Sequence, residues 1–199
     1  MGYCIQYVHV TPTRGLVLKP LGEWDGKGKS FEFEVRGRSD SNYATDPESR
    51  QSVTGTVVYL NDSPITFASV TQKDVTLSVT EAELAAVVTM VQDMLCVYRV
   101  MTSIGLKVKL PMLVELDNSG AKDLANSWSV GGRTRHVDVH MFFLREIKED
   151  GLLIFKHIPR SDNKADIFTK NVNAVDLHRH AVQLCGEDNI YESLKGGKP

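Results

Sequence analysis

The arrangement of hydrophobic and polar positions predicts three strands in the first half of the chain. Residues 31–36 alternate between apolar and polar side chains, whereas Val53–Leu60 and residues 65–70 are rich in β-branched side chains. Both patterns are typical of strands. Residues 46–49 and 61–64 are predicted turns, so we expect an antiparallel meander.

The hydrophobic period then changes to that of a helix. Apolar side chains recur three and four residues apart between Leu84 and Tyr98, and Gly105 is expected to end the helix. Ser78 and Glu81 fit a capping box at its start, and a second match begins two residues later. If Ser78 is the N-cap, Glu83 is free for another role.

The remaining pattern predicts two more strands and further helices. We expect strands at Met112–Leu116 and 152–157 and helices at 121–127, 137–148, 163–170 and 173–184. The predicted fold class is therefore α/β, with a mixed five-stranded sheet flanked by helices. Its order is β-β-β-α-β-α-α-β-α, with a further helix near the C-terminus.

Composition and charge exclude several classes of protein. The chain has 199 residues, 42% of them hydrophobic, and its 23 basic and 25 acidic side chains give a net charge of −2. This near balance excludes binding of nucleic acid through bulk charge alone. No run of apolar residues approaches the length of a transmembrane helix, and no secretory signal is evident. Cys4, Cys96 and Cys185 are too scattered for a disulfide framework or a zinc site.

Four carboxylates fall near the ends of predicted elements. They are Asp40 after the first strand, Glu83 near the start of the long helix, Asp117 after the fourth strand, and Asp166 in the helix that follows the last strand. Carboxylates that gather at the end of a sheet repel one another unless a divalent cation such as Mg²⁺ or Mn²⁺ lies between them. Two such ions form the clamp that is used in phosphodiester hydrolysis.

Each acid also has a purely structural interpretation. Asp40 could cap a turn, Glu83 could complete the second capping box, Asp117 could form an Asx turn, and Asp166 could interact with its own helix dipole. Strand parity also places Asp40 on the face opposite Val35, unless a β-bulge changes the register. These alternatives stay open from spacing alone.

Five segments of the sequence together point to a known family. They are SDSNYATD with RQSVTG (residues 39–55), TEAE (80–83), DNSGA (117–121), RTRHVDV with FLRE (133–146), and IP with ADIFTK (158–170). In this order they resemble the ribonuclease H domain of copia-type (Pseudoviridae) LTR retrotransposon Pol polyproteins. Residues 7–16 resemble the end of the preceding reverse transcriptase. We therefore expect a remnant of that segment with a linker at 1–28, the ribonuclease H domain at 29–185 and a flexible tail at 186–199.

The resemblance implies a ribonuclease H-like fold and an activity. The family's metal ligands match Asp40, Glu83, Asp117 and Asp166, with Glu81 as a competing glutamate in the TEAE segment. The implied reaction is two-metal-ion hydrolysis of the RNA strand of an RNA–DNA hybrid during reverse transcription. It would use two Mg²⁺ ions, which Mn²⁺ could replace, and leave 3′-hydroxyl and 5′-phosphate ends.

The resemblance also implies partners and further site residues. His157 precedes Asp166 by the spacing at which many ribonucleases H carry a mobile catalytic histidine. Residues expected to contact the hybrid are Asn118, Ser119, Arg133, Arg135, His136 and Lys164. The implied partners are the hybrid and the reverse transcriptase domain of the same polyprotein, with no membrane. The implied location is the cytoplasm, within virus-like particles.

Two other functions are compatible with the same fold. One is a catalytically inactive domain that binds the hybrid or connects other domains, although such domains usually lose one of the acids. The other is an integrase-like or Holliday-junction nuclease, against which the order of the five segments counts.

Overall fold

The computed structural model describes residues 31–119 and 135–185, and it contains a mixed sheet with helices on both faces. The strands are β1 (Glu32–Phe33), β2 (Val35–Asn42), β3 (Val53–Leu60), β4 (Ser63–Thr71), β5 (Lys107–Val108), β6 (Met112–Leu116) and β7 (Leu153–His157). The α-helices are α1 (Val79–Ser103), α2 (Arg135–Glu149) and α3 (Ala174–Cys185), and 3₁₀ helices span Arg160–Asp162 and Lys164–Phe168. The predicted helix at 121–127 lies outside the described residues, as do the predicted N-terminal remnant at 1–28 and the predicted tail at 186–199.

The main sheet has five strands in the order β4-β3-β2-β6-β7. β2, β3 and β4 form the antiparallel meander, whereas β6 and β7 run parallel to β2. The predicted mixed five-stranded sheet is thus confirmed. Because β2, β6 and β7 are parallel, their C-terminal ends lie at the same edge of the sheet.

The first strand differs from its prediction. Residues 31–36 do not form one strand, because the strand is interrupted at Glu34. The backbone N–H of this residue donates to the Asn61 side chain at 2.7 Å. The short β1 instead pairs in parallel with β5, and β2 continues past Asp40 to Asn42. The register between β2 and β3 is unbroken, so no bulge occurs at Gly37.

Helix α1 packs its apolar stripe against one face of the sheet. Met90, Met94 and Leu84 are fully buried there, and a Cβ on Gly37 of β2 would collide with the first two. Ser78 is the N-cap, as predicted, and its hydroxyl accepts a hydrogen bond from the Glu81 N–H at 3.1 Å. Helix α1 is long enough and apolar enough to cross a membrane. A helix that packs in a protein core, as α1 does, meets the same criteria of length and hydropathy.

The opposite face of the sheet is covered by segments that follow β7 in the chain. Val57 and Tyr59 of β3 form a small core there with Ala165 and Leu184. The predicted helix at 163–170 is wrong in type, because this segment forms a short 3₁₀ helix that lies directly on the sheet. Gly55 permits this close approach, since a Cβ at this position would lie 2.7 Å from the Ala165 carbonyl oxygen.

Candidate active site

Asp40 lies on the sheet face that carries the 3₁₀ helix. It pairs with Gly55 across the β2–β3 ladder, and its side chain is buried. The Thr169 hydroxyl lies within hydrogen-bond distance of two acceptors, Asp40 Oδ2 and, at 3.1 Å, the Asp166 carbonyl oxygen, and its single proton is shared between them. Asp40 therefore lies on the face opposite Val35, as strand parity predicted, and no bulge is needed. It still meets Asp166, because the segment that carries Asp166 packs on the same face as Asp40.

Asp117 and His157 meet at the ends of neighbouring parallel strands. Asp117 directly follows β6, and His157 is the last residue of β7. The two strands pair in register up to Leu116 and His157, which places His157 Nε2 at 3.1 Å from the Asp117 carbonyl oxygen. The histidine is exposed, so its ring is accessible at the edge of the site.

Asp166 is held in place by the 3₁₀ helix and by the fully buried Asn163. The Asn163 side chain caps the 3₁₀ helix by accepting the Ala165 N–H at 3.1 Å, and it donates to the Ser39 carbonyl oxygen at 2.9 Å. Lys170 lies one turn further on, with its Nζ 2.8 Å from Asp166 Oδ1 and 3.9 Å from Asp40 Oδ2. A cation therefore already lies between two of the carboxylates.

Asp40, Asp117 and Asp166 form one cluster. A carboxylate oxygen from each lies within 4.8 Å of those from the other two. Three converging hard oxygen ligands suit Mg²⁺ or Mn²⁺, and the Lys170 ammonium marks the position as favourable for positive charge. The donor set therefore fits a divalent metal site.

Glu83 lines the same cleft from the other side. The cleft has a volume of about 480 Å³, and Asp40, Glu83 and Asp117 all contribute to its wall. Burial, followed by the charge of Asp40, raises the pKa of Glu83 to about 8. Because Glu81 instead accepts the Leu77 backbone N–H at 2.8 Å, it belongs to the helix cap, and Glu83 is the glutamate that faces the acids.

The electrostatics of the cluster favour an added cation. Burial raises the pKa of Asp40 to about 6, while the Thr169 hydroxyl lowers it and the charge of Asp166 raises it further. Burial also raises the pKa of Asp117, although Asn163 and the charge of Arg160 act in the opposite direction. Without a metal ion, the cluster therefore holds protons at a pH where ordinary carboxyl groups are ionised.

The residues expected to contact nucleic acid separate into three groups. Asn118 and Ser119 line the acid cleft. Lys164 lies instead over the Tyr59 ring at 5.5 Å, where burial lowers its pKa to about 8. Arg135 and His136 begin α2, but their side chains lie outside the described part of the chain, and so does the whole of Arg133.

Four residues that support the site were not singled out for that role. Asn163, Thr169 and Lys170 position or neutralise the aspartates, and Arg160 lines the cleft beside Asp117. The ADIFTK segment contains two of them, and its Thr and Lys follow Asp166 by three and four residues. That spacing suits contacts within a single turn and was the available clue.

The chain is similar to parts of three plant retrotransposon proteins. It is 33% identical over 153 residues to the retrovirus-related Pol polyprotein from transposon TNT 1-94 of Nicotiana tabacum, covering 77% of this chain and 11% of that protein. It is 28% identical over 180 residues to that from transposon RE1 of Arabidopsis thaliana, covering 90% and 12%. With RE2 of the same plant the identity is 29% over 171 residues.

The chain is homologous to copia-type retrotransposon Pol polyproteins. It spans only 11% to 12% of the length of each of these relatives. No protein-family model matches the chain.

Solved structures identify the fold of this Pol segment. LC11-RNase H1, isolated from compost by a metagenomic approach, superposes with a TM-score of 0.53 at 17% identity, over 68% of this chain and 92% of that one. The same protein in complex with an RNA/DNA hybrid gives a TM-score of 0.51 at 16% identity, over 68% and 94%. The Pol segment therefore has the ribonuclease H-like fold, as the sequence predicted.

Proposed function

We propose that this Pol segment is a ribonuclease H that hydrolyses the RNA strand of RNA–DNA hybrids. The observation that carries the proposal is the convergence of Asp40, Asp117 and Asp166 within 4.8 Å at one edge of a ribonuclease H-like sheet. These three residues and Glu83 are the proposed ligands of two Mg²⁺ ions, which Mn²⁺ could replace. When bound, such ions supply an activated water and stabilise the leaving oxygen.

The chain's own residues prepare this site in distinct ways. Thr169 orients the Asp40 carboxylate, and Asn163 fixes the segment that carries Asp166. Glu83 holds a proton near neutral pH until a cation displaces it, since the pKa of its carboxyl group is about 8. His157 is accessible beside Asp117 and is the proposed group for proton transfer or product release.

The proposed substrate and setting rest on the relatives. The matched proteins are retrovirus-related Pol polyproteins, and one structural neighbour is in complex with an RNA/DNA hybrid. We therefore propose the hybrid and the reverse transcriptase domain of the same polyprotein as partners, in cytoplasmic virus-like particles. Asn118 and Ser119 are the proposed contacts to the hybrid within the cleft.

The decisive test is cleavage of labelled RNA in an RNA–DNA hybrid, in Mg²⁺ and then in Mn²⁺. Single-stranded RNA and duplex DNA serve as substrate controls. Asp117→Asn should abolish cutting, whereas the chemically matched Asp150→Asn, at an exposed turn, should not. We expect cleavage of the hybrid alone that requires metal.

Three results would contradict the proposal. Cleavage without divalent metal would exclude the acid cluster as a metal site. Cleavage of duplex DNA without cleavage of the hybrid would favour an integrase-like or junction-cleaving activity. Binding of the hybrid without cutting, by a folded protein joined to its preceding polyprotein segment, would favour the catalytically inactive alternative.

A further inference from the structure

A second cavity adjoins the acid cluster on the side of α3. It has a volume of about 380 Å³ and lies between the 3₁₀ helix Arg160–Asp162, the loop after Lys170 and the first turns of α3. Asp166 and Lys170 form its wall towards the acids, and Arg160 lines both this cavity and the acid cleft. A ligand in this cavity would therefore lie next to the proposed metal site.

The cavity carries an excess of positive charge. Its two carboxylates are already matched, because Asp166 pairs with Lys170 at 2.8 Å and Asp176 pairs with Arg179 at 2.6 Å. Arg160 makes no ion pair with any residue that the structure describes, although its charge also acts on Asp117 in the neighbouring cleft, so the cavity lining holds one cation more than it has carboxylates. An anion that enters the cavity meets two guanidinium groups, which bind phosphate oxygens in bidentate geometry.

A buried histidine on α3 faces the same cavity. His180 is only 3% exposed, and its Nδ1 has no hydrogen-bond partner among the described residues. Burial and the charge of Arg179 lower the pKa of His180, which keeps its ring neutral. Buried polar atoms are normally paired, so an unpaired ring nitrogen in a residue that lines a cationic cavity favours a polar ligand that the ring meets when it turns.

We propose that this cavity binds a backbone phosphate of the nucleic-acid strand, adjacent to the phosphate that is cleaved. Arg160 and Arg179 supply the charge, and His180 Nδ1–H donates a hydrogen bond to a phosphate oxygen. The identity of this ligand rests on the proposed ribonuclease H function. The subsite would fix the register of the strand over the acids.

Arg179 can turn to a ligand without leaving its present partner unpaired. The Asp176 carboxylate also accepts a hydrogen bond from the Asn173 amide at 2.8 Å, and the Asp176 backbone N–H donates to Asn173 Oδ1 at 2.9 Å. Asp176 therefore keeps its position when Arg179 moves. The exposed Arg179–Asp176 pair is of a kind that contributes little to stability, so Arg179→Gln should fold normally.

The test is a phosphate scan of hybrid binding in EDTA, where no metal-dependent cutting occurs. Each hybrid carries one neutral methylphosphonate in place of a phosphate, at a different position in each hybrid. Binding is measured for the wild type, for Arg179→Gln and for a matched control. The control is Arg99→Gln, which makes the same chemical change on the exposed surface of α1. The wild type and the control should lose about 10-fold in affinity at one position next to the cleavage site. Arg179→Gln should show no loss at that position. Equal losses in the wild type and Arg179→Gln would overturn the proposal.

A second measurement separates this proposal from the proposed function. The ring signals of His180 are followed by NMR during titration with inorganic phosphate, with chloride at the same ionic strength as the reference. If the wild type joined to its preceding polyprotein segment binds no hybrid even in Mg²⁺, the proposed function fails. A phosphate-dependent shift of the His180 signals that Arg179→Gln removes would then still support an anion site, and the absence of a shift would overturn it.

Discussion

The Thr169 hydroxyl donates a hydrogen bond to the carboxylate of Asp40, and this contact joins two residues that lie 129 positions apart in the chain. It connects the central strand of the sheet to the segment that carries Asp166. The same hydroxyl also lies 3.1 Å from the Asp166 carbonyl oxygen, which shares its single proton, so one side chain contacts the residues of two proposed metal ligands. Thr169 is thus a positioning residue for the cluster.

Replacement of Thr169 should therefore weaken metal binding. Thr169→Val keeps the shape but removes the hydroxyl, and loss of such a support typically costs about 10- to 100-fold in metal affinity. Thr169→Ser should restore most of the affinity. Calorimetric titration with Mn²⁺ checks this, and equal affinity for Val and Ser variants would show that the hydrogen bond is unimportant.

The two glutamates of the TEAE segment should behave differently. Glu83→Gln removes a carboxylate from the cleft and should reduce hybrid cleavage by at least about 100-fold. Glu81→Gln makes the same chemical change at the helix cap, where the amide oxygen can still accept the Leu77 N–H, so activity should be retained. A cleavage assay with both variants decides, and the reverse result would assign the metal ligand to Glu81.

The pH dependence of stability follows from the raised pKa values of Asp40 and Glu83, which are about 6 and about 8. Ordinary carboxyl groups in the unfolded chain have pKa values of about 4. The folded state therefore binds more protons between these values, and stability without metal should fall as the pH rises from about 4 to about 8. Urea unfolding in EDTA at several pH values measures this, and Glu83→Gln should flatten the slope above pH 6. A stability that rises with pH in this range would contradict the assignment.

Metal binding should show the opposite dependence on pH. Because the cation must displace protons from the same carboxyl groups, its affinity should increase between about pH 5 and pH 8 and protons should be released on binding. Calorimetry in two buffers of different ionisation enthalpy counts the released protons. No proton release at pH 6 would indicate that Asp40 and Glu83 are already ionised.

Two glycines on opposite faces of the sheet provide a test of how Asp166 is held. A Cβ at Gly55 would lie 2.7 Å from both the Ala165 carbonyl oxygen and Thr169 Cγ2, so Gly55→Ala should displace the 3₁₀ helix and abolish cleavage. The atoms nearest to a Cβ at Gly37 belong to the flexible side chains of Met90 and Met94. Gly37→Ala should cost about 1–3 kcal/mol of stability but keep the site. Cleavage at a temperature where both variants are folded separates the two effects.

The buried ion pair of the central strands should contribute to stability, and Arg38 Nη1 also donates to the Asp162 carbonyl oxygen at 2.6 Å. Arg38 Nε contacts Glu115 Oε2 at 2.7 Å, and both side chains are almost fully buried. Arg38→Met leaves Glu115 buried without its partner and should cost about 3–5 kcal/mol in the free energy of unfolding. Adding Glu115→Leu should recover much of this loss. Denaturant unfolding of the single and double variants checks the prediction, and a purely additive loss would contradict it.

Local patterns predicted the sheet and the main helices because their signals are periodic and short-range. β3 and β6 have the predicted bounds, and Ser78 and Gly105 mark the ends of α1 as expected. The failures concern contacts with distant parts of the chain. Asn61 interrupts the first strand from 27 positions away, and packing against Gly55 accompanies the 3₁₀ geometry near Asp166.

The residues of the candidate site were predicted from the order of the five family-like segments more than from hydrophobic pattern or spacing. Spacing alone could not decide between Glu81 and Glu83, which the helix cap separates in the structure. Nor could it reveal the roles of Asn163 or Arg160, because each depends on which loop folds over which strand. Such long-range packing leaves no period in the sequence.

The position of Asp166 after the last described strand has a consequence for how the protein is made. A nascent chain that stops after β7 contains every strand that the structure describes, together with Asp40, Glu83 and Asp117. It lacks the 3₁₀ helix, Thr169 and Lys170, so its remaining carboxylates have neither their third partner nor their neighbouring cation. Translation must therefore pass Lys170 before the cluster is complete. A coding sequence with a stop codon upstream of that point would encode the sheet and α1 without the proposed metal site.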